Sequence, residues 1–307
     1  MNENSSAKAS SGIKKILALP LLVIAASALT LLGQLLGQFT MIIQRLIPSL
    51  KSNDIWITGK MYLEFLGIWI LCMIVFAVIR KNRPLFGTLG NKVHGNTPKY
   101  MLLGLGIGFG MNAFCAVVAL IKGDIHIYYN SFNPFVLLYL FIVILIQSSA
   151  EELVCRCYLY QRLMRTYHSP LLAIITNSLL FGAMHLLNPN VSVWGIVSIL
   201  LSGVLFSLCI YYFDSFWCCA MMHTAWNFTQ NIIFGLPNSG NVVPYSIFKL
   251  DAGNAVKSFA YDPGFGIEGT VLSCAIQAAV IVAIILLGKK HGTKPTDIWE
   301  ENSSEIS

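Results

Sequence analysis

The sequence predicts an all-α, polytopic membrane protein, and three observations support this fold class. Of its 307 residues, 56% are hydrophobic and 11% are charged, whereas a soluble domain carries about 25% charged residues. The mean hydropathy is +0.68. The apolar residues also form long runs, several of which reach the roughly 20 residues needed to cross a bilayer. Backbone groups in lipid must be hydrogen-bonded within their own segment, so these runs are predicted to be helices.

Eight candidate spans follow one another along the chain. They lie near residues 16–43, 61–79, 100–121, 134–155, 170–187, 192–213, 215–235 and 266–288. The pattern therefore predicts three parts: a polar N-terminal segment, 1–15, a membrane domain, 16–288, and a polar, disordered C-terminal tail, 289–307.

Three of these spans need a specific justification. The first resembles a signal peptide, but its apolar run reaches about Ile47 and is too long for a cleaved leader. The third contains "GLGIGFG", Gly104 to Gly110, inside an apolar run with no preceding strand. This favours close helix packing over a nucleotide-binding loop. The fourth continues as a helical pattern beyond membrane length, and we treat 134–166 as one long helix.

Lysine and arginine are distributed unevenly between the two sides of such a bundle. If the N-terminus lies inside, 14 of the 20 basic residues fall on the inner side. The positive-inside rule then predicts a multi-pass integral membrane protein with both termini in the cytoplasm, in the plasma membrane if the host is bacterial. The basic residues form short clusters between apolar runs, so the expected partner is the lipid bilayer and not nucleic acid.

The fourth span carries two adjacent carboxylates and an arginine. A charged side chain at the centre of a membrane helix costs about 2.5–3.5 kcal/mol on insertion scales, so such groups need a partner or a function. Glu152 and Arg156 are separated by four residues in the favourable order and can pair on one helix face. Glu151 lies about 100° around the helix and has no such local partner. One carboxylate is therefore predicted to be structural and the other to be available for chemistry.

Polar residues on the fifth and seventh spans complete the candidate site. Phe181 and His185 share one helix face, and His223 and Asn227 share another. If the chain turns just before the fifth span, Glu151 and His185 lie about 24 and 22 Å from that turn, at 1.5 Å per residue. We expect these two residues at similar depth, with the seventh span close enough to join them.

Four of these residues are sufficient for hydrolysis. Glu151 could act as a general base on a water that His185 holds or polarises. His223 and Asn227 could donate hydrogen bonds to the oxyanion of a tetrahedral intermediate. The same four residues could instead bind a divalent metal such as zinc, whose water would be the nucleophile. The residue types alone leave both chemistries open.

Three motifs occur in order along these helices: EExxxR ("EELVCR", 151–156), FxxxH ("FGAMH", 181–185) and HxxxN ("HTAWN", 223–227). Together they resemble the CAAX prenyl protease and bacteriocin-processing family of intramembrane endopeptidases, also called Abi or Rce-type proteins. The motifs extend over 151–227, about a quarter of the chain.

The resemblance implies an intramembrane catalytic cavity and a role for each motif residue. Glu151 would activate the water and His185 would assist it. His223 and Asn227 would stabilise the oxyanion. Structural support is implied for the remaining motif residues: Glu152, Arg156 and Phe181.

The predicted function is hydrolysis of a peptide bond in a membrane-associated or lipidated peptide or protein. We favour a glutamate-dependent reaction without a cofactor over a zinc-dependent one. The non-enzymatic alternative is a transporter or a bacteriocin-immunity protein that uses Glu151 and His185 as an ion or proton relay. Paired inverted repeats would favour that alternative, and the sequence shows none.

Overall fold

Helices dominate the computed structural model, which describes residues 3–291 and 295–300, with side chains from 15 to 290 and from 295 to 300. In chain order the helices are α1 (Glu3–Gly37), α2 (Phe39–Leu46), α3 (Asp54–Leu63), α4 (Leu66–Val78), α5 (Phe86–Leu89), α6 (Pro98–Ile121), α7 (Pro134–Glu152), α8 (Tyr160–Tyr167), α9 (Pro170–Met184), α10 (Val193–Phe213), α11 (Phe216–Asn227) and α12 (Val271–His291). Two short strands, β1 (Ile127–Tyr129) and β2 (Phe248–Leu250), pair in antiparallel fashion. The predicted all-α fold class is confirmed, with this small strand pair as an addition.

Six helical segments of the described chain are long and apolar enough to cross a membrane. They are Lys15–Leu46, Asp54–Val78, Pro98–Ile121, Pro134–Tyr167, Val193–Phe213 and Val271–Lys290. A seventh apolar helix, Pro170–Met184, is shorter. These helices confirm an integral, multi-pass membrane protein, whereas the count of eight spans stays a prediction.

The predicted long helix 134–166 is helical throughout, but it is not uniform. Its middle part, Leu153–Leu159, is a π-helix that begins directly after Glu152. A second π-helix, Phe228–Ile233, begins directly after Asn227. A π-turn accommodates an additional residue and changes the direction of the side chains that follow, and such turns are frequent at functional sites. Both π-helices of the described chain therefore adjoin predicted site residues, the first between α7 and α8 and the second at the end of α11.

Two glycines bring α6 into close contact with α11. A side chain at Gly104 would lie 2.2 Å from the carbonyl oxygen of Cys218, and one at Gly108 would lie 2.1 Å from that of Met222. These distances leave no room for a Cβ atom, so the backbones can approach only where glycine is present. The predicted close packing of this glycine-rich run is confirmed, and it holds α11 next to α6 along the turn that precedes His223.

One end of the helix bundle, which we call the terminal face, contains segments 80–97, 160–169, 213–217 and 295–300. The Trp217 indole donates to the carbonyl of Leu89, and the Thr296 amide donates to Asp214 Oδ1. The hydroxyl of Tyr167 donates to the carbonyl of Lys15. These contacts place the first span's N-terminal end and the segment after α12 on the same face.

The opposite end, which we call the loop face, contains segments 122–133, 185–192 and 234–270. The β1–β2 pair joins the first of these segments to the third. Asn188 donates from its side chain to the carbonyl of Ser239, which joins the second to the third. Segment 234–270 therefore lies over this end of the bundle, next to the C-terminal end of α9.

Part of the predicted disordered tail 289–307 is folded onto the terminal face. Ile298 is 1% exposed, and Lys92 Nζ donates to its carbonyl. The guanidinium of Arg165 lies 4.5 Å from the ring centroid of Trp299. Two apolar side chains, Ile298 and Trp299, thus attach this part of the polar tail to the bundle, which its composition did not predict. Residues 292–294 and 301–307 lie outside the described residues. The three predicted segment boundaries stay predictions.

Candidate active site

A cavity of about 460 Å³ extends between α1, α3, α7, α9, α10 and α11 to the loop face. Its walls include the four residues predicted to be catalytic: Glu151, His185, His223 and Asn227. The three motifs, which are separated along the sequence, therefore meet at one cavity. Segment 234–270 closes part of the same cavity with polar side chains, which are those of Asn238, Ser239, Asn241 and Glu268.

Glu151 lies in the last turn of α7, and its side chain is 11% exposed. One carboxylate oxygen, Oε1, accepts a hydrogen bond of 2.9 Å from Gln147 Nε2. The other, Oε2, is buried and has no hydrogen-bond partner among the described residues. A carboxylate oxygen has lone pairs that bind a water or hydroxyl group. The geometry of Glu151 thus leaves one oxygen of a buried carboxylate free to accept a proton.

Glu152 has a different environment from that of its neighbour. Its side chain and that of Arg156 are 0% exposed, and Oε2 lies 3.0 Å from Arg156 Nη1, as the spacing predicted. Arg156 also donates from Nη2 to the carbonyl of Gly203 at 3.0 Å. This contact ties the long α7–α8 helix to α10. The other oxygen, Oε1, accepts from Arg156 Nη1 at 3.2 Å and lies 3.0 Å from Nδ1 of His223.

His223 lies between the two carboxylates. Because an ionised carboxylate can only accept, the contact with Glu152 makes Nδ1 a donor. The other ring nitrogen, Nε2, is 3.8 Å from Glu151 Oε2, which is beyond a direct hydrogen bond. The imidazole stacks on Phe206 with a centroid distance of 5.1 Å. Its orientation is therefore determined by Glu152 and Phe206, and Nε2 is directed towards Glu151.

His185 caps the C-terminal end of α9 and forms its hydrogen bond within that helix. Its Nδ1 donates to the carbonyl of Phe181 at 2.7 Å, which leaves Nε2 as the acceptor of a neutral ring. The structure thus brings His185 to the cavity but bonds it to α9 and not to Glu151. The ring of Phe181 lies 4.8 Å from the His185 ring and 4.8 Å from Arg156 Cζ. Phe181 therefore separates the cavity from the buried ion pair.

Asn227 is oriented by residues that the sequence did not single out. Its Nδ2 donates to Gln147 Oε1 at 3.0 Å and lies 3.4 Å from the hydroxyl of Ser148. Its Oδ1 accepts from Asn238 Nδ2 at 3.1 Å. Gln147 lies one helical turn before Glu151, so the four-residue spacing was a usable signal for it. Asn238 lies on a loop, where no periodicity indicates which side chains reach the cavity.

Glu268 is a further cavity residue that the sequence did not single out. It lies in the short helical turn Ile267–Gly269 before α12 and is 7% exposed. Trp226 Nε1 donates to its Oε1 at 2.9 Å, and the amide and hydroxyl of Ser239 donate to its Oε2 at 2.6 and 2.8 Å. Burial raises the pKa of the Glu268 carboxyl above its usual range, and these three hydrogen bonds oppose the rise. Glu268 thereby joins segment 234–270 to α11.

The same residues do not form a preassembled metal site. Within the described part of the chain, no three or more His, Cys, Asp or Glu side chains are grouped closely enough to hold a metal ion. Of the predicted ligands, His185 and His223 each have one ring nitrogen already engaged, with Phe181 and Glu152. We therefore derive no step through a metal, and the choice between the two predicted chemistries stays open to experiment.

Residues 133–229 match the family model described as type II CAAX prenyl endopeptidase Rce1-like. The match covers about a third of the chain. It begins at the N-cap of α7 and ends just after α11, so it includes all three motifs. Comparisons with curated proteins and with solved structures gave no match. The segment 133–229 is therefore similar to Rce1-like CAAX prenyl endopeptidases, which confirms the family resemblance seen in the motifs.

Proposed function

We propose that the protein is a CAAX-type intramembrane endopeptidase in which Glu151 activates the attacking water. One observation carries this proposal: Glu151 lines a cavity with His185, His223 and Asn227, and its buried Oε2 has no hydrogen-bond partner among the described residues. A carboxylate held this way is suited to be a general base, because it borders the cavity that a substrate would occupy and keeps an oxygen without a hydrogen bond. The family match supports the reaction class.

The proposed reaction begins with proton transfer from water to Glu151 Oε2. The water oxygen bonds to the peptide carbonyl carbon, and the carbonyl oxygen becomes an oxyanion. Asn227 donates to this oxygen from Nδ2, and His223 donates from Nε2 when both ring nitrogens carry protons. The C–N bond then breaks, and the leaving amine takes the proton from Glu151. His185 binds the attacking water through Nε2, since its Nδ1 is engaged by Phe181.

The proposed substrate is a peptide or protein held in the membrane, with a lipidated tail as the favoured form. The cavity wall combines the polar residues of the site with apolar side chains from the surrounding helices. Examples of the apolar lining residues are Leu31, Met61, Phe65, Leu180 and Met184. Such a wall suits a substrate whose apolar chain lies beside a polar peptide bond. A CAAX tail carries its lipid on the cysteine next to the cleaved bond.

We also propose that the terminal face is cytoplasmic, because its segments 80–97 and 160–169 carry six lysines and arginines, whereas the segments of the loop face carry three. The cavity, which extends to the loop face, would then open away from the cytoplasm. Reporter fusions to the C-terminus test this orientation: a fluorescent protein should fold and a periplasmic phosphatase should stay inactive. The reverse result would place the loop face in the cytoplasm.

The proposed function is tested with purified protein in liposomes and a quenched fluorogenic peptide that ends in a farnesylated CAAX sequence. Wild type should cleave it, whereas Glu151→Gln and His185→Ala should each abolish cleavage. Glu64→Gln is the matched control, because Glu64 pairs with Lys60 and is not part of the cavity wall. Full activity of either site variant would contradict the proposal. Glu151-dependent ion uptake without cleavage would instead support the relay alternative.

The same peptide without the farnesyl group tests the need for a lipid. Cleavage of the farnesylated peptide alone would support a lipidated substrate. Equal cleavage of both peptides would support an endopeptidase that does not require a lipid on its substrate.

A further inference from the structure

We infer that Gln147 is a positioning residue, which orients the general base Glu151 and couples it to Asn227. This inference rests on the proposed function, because it assigns a role to Gln147 through those two residues. Gln147 lies one turn before Glu151 on α7, lines the cavity and is 7% exposed. It is not part of any of the three motifs.

The carboxamide of Gln147 bridges the two residues directly. Its Nε2 donates to Glu151 Oε1 at 2.9 Å. Its Oε1 accepts from Asn227 Nδ2 at 3.0 Å and from the hydroxyl of Ser148 at 3.2 Å. One side chain thus contacts both the proposed base, on α7, and a proposed oxyanion donor, on α11.

The surroundings allow only one orientation of this carboxamide. An amide rotated by 180° would place Gln147 Oε1 against the carboxylate of Glu151, where two acceptors would repel each other. It would also place Nε2 against the Nδ2 donor of Asn227. The hydrogen-bond network therefore determines which atom of the amide faces each neighbour.

This orientation decides which oxygen of Glu151 is free. The bond from Gln147 occupies Oε1 and opposes rotation of the carboxylate, so Oε2 is left towards Nε2 of His223. Charge-assisted hydrogen bonds of this kind are stronger than neutral ones. Without the bond, Glu151 could turn towards other donors and would spend less time in the orientation needed to accept a proton from water.

A residue outside the family-matched segment supports the other end of the network. Asn238 donates to Asn227 Oδ1 at 3.1 Å, so the Asn227 amide is held from both sides. Asn238 and Asn241 exchange two backbone hydrogen bonds of 2.9 Å across a two-residue turn. The central residues, Ser239 and Gly240, both have positive φ, as in the tight turns typical of hairpins. This turn presents the Asn238 side chain to Asn227.

The test replaces Gln147 with methionine, which has a similar volume but cannot form either hydrogen bond. The matched control is Gln277→Met, because Gln277 is also buried on a membrane helix, is not part of the cavity wall and contacts no motif residue. Its hydrogen-bond partners are three serines, of which only Ser202 borders the cavity. Both variants and wild type are assayed with the farnesylated fluorogenic peptide in liposomes, and their thermal unfolding is measured in detergent. Glu151→Gln is included as the inactive reference.

We expect kcat of Gln147→Met to fall 10- to 100-fold, in the range of about 10²-fold that small misplacements of catalytic groups produce, while KM changes less than twofold. Gln277→Met should keep the wild-type kcat at a similar unfolding temperature. Wild-type kcat in Gln147→Met would overturn the inference. The inference would also be overturned if the activity of Gln147→Met fell only in proportion to its loss of folded protein.

A second variant covers the case in which Gln147→Met does not fold. Gln147→Asn keeps a polar carboxamide but is too short to reach both neighbours, and it should lower kcat in the same way. If Glu151→Gln is inactive while both Gln147 variants are fully active, this inference fails and the proposed function stands. If Glu151→Gln cleaves as well as wild type, the proposed function fails, and this inference fails with it.

Discussion

Glu151 and Glu152 are neighbours in the chain, but the structure places them in opposite environments. Glu152 is fully buried and contacts both Arg156 and His223. Glu151 lies at a cavity, and its Oε2 has neither a hydrogen bond nor an arginine or lysine partner among the described residues. The two carboxylates have the same chemistry in isolation. Their different roles in the proposed mechanism follow from the α-helical offset of about 100° between adjacent residues.

The comparison teaches how a membrane protein can hold a reactive carboxylate. A buried charge is tolerated when it is paired and hydrogen-bonded. Glu152 accepts hydrogen bonds from Arg156 and His223 through Oε1, and its Oε2 lies 3.0 Å from the Arg156 guanidinium as an ion pair. Through His223 Nδ1, the same pair also orients a ring that faces Glu151. The partnered carboxylate thus supports the arrangement in which its neighbour keeps a free lone pair.

The largest expected effect comes from replacing Glu151, the carboxylate at the cavity. Glu151→Gln should lower kcat by at least about 10²- to 10⁴-fold, the range that general base catalysis contributes. Its unfolding temperature should stay close to that of wild type, because glutamine can still accept from Gln147. Cleavage kinetics and thermal unfolding of the same preparation check both statements. A large loss of stability would show that Glu151 is structural, like Glu152.

The second effect comes from removing Arg156, the partner of the buried carboxylate Glu152. Arg156→Met should lower the free energy of unfolding by about 3–5 kcal/mol, because Glu152 would stay buried without its cation. The double variant Glu152→Gln/Arg156→Met should recover part of this loss. Denaturant titration in mixed micelles measures both. Lys60→Met is the control, since it breaks the more exposed Lys60–Glu64 pair and should cost about 0–1 kcal/mol. Equal losses in Arg156→Met and the control would contradict the distinction.

The third effect removes a donor without touching either carboxylate. Asn227→Leu should lower kcat by about 10²- to 10³-fold, as expected for loss of one oxyanion donor. KM should change little, because this hydrogen bond strengthens only in the transition state. Steady-state kinetics with the farnesylated peptide separate the two constants. A higher KM with an unchanged kcat would instead make Asn227 a substrate-binding residue.

A smaller effect concerns Phe181, which separates the two environments. Phe181→Leu keeps an apolar side chain but removes the ring that faces Arg156 at 4.8 Å. The loss of this cation–π contact should cost about 0.5–2 kcal/mol. We expect a lower unfolding temperature and a modest decrease in activity. An activity loss as large as that of Glu151→Gln would mean that Phe181 contributes more than packing.

The smallest expected effect comes from metal removal. In the glutamate-dependent reaction that we favour, dialysis against a chelator should change cleavage less than twofold. Metal content is measured on the same sample by mass spectrometry. A stoichiometric metal whose removal stops cleavage and whose return restores it would overturn this expectation. The groups to examine as its ligands would then be Glu151, His185, His223 and Asn227.

Much of the fold and part of the site follow from short-range sequence patterns. Long apolar runs predicted the positions of the membrane helices, because burial in lipid depends mainly on local composition. The four-residue spacing predicted the Glu152–Arg156 pair, since such residues meet on any α-helix. The motifs predicted four residues that line the cavity: Glu151, His185, His223 and Asn227. By contrast, Asn238 and Glu268 were not predicted, because they lie in a segment with neither helical periodicity nor a motif.

The sequence by itself determined that long apolar helices make up most of the fold, which motif residues share a helix face and which family the central segment resembles. Only the tertiary structure decided the partners of each polar atom: that His223 contacts both carboxylates, that His185 bonds Phe181, and that segment 234–270 reaches Asn227. The physical reason is the range of the interactions. Hydropathy and helical periodicity act over one or a few turns, whereas a hydrogen bond between distant segments forms only after packing has set their distance and orientation.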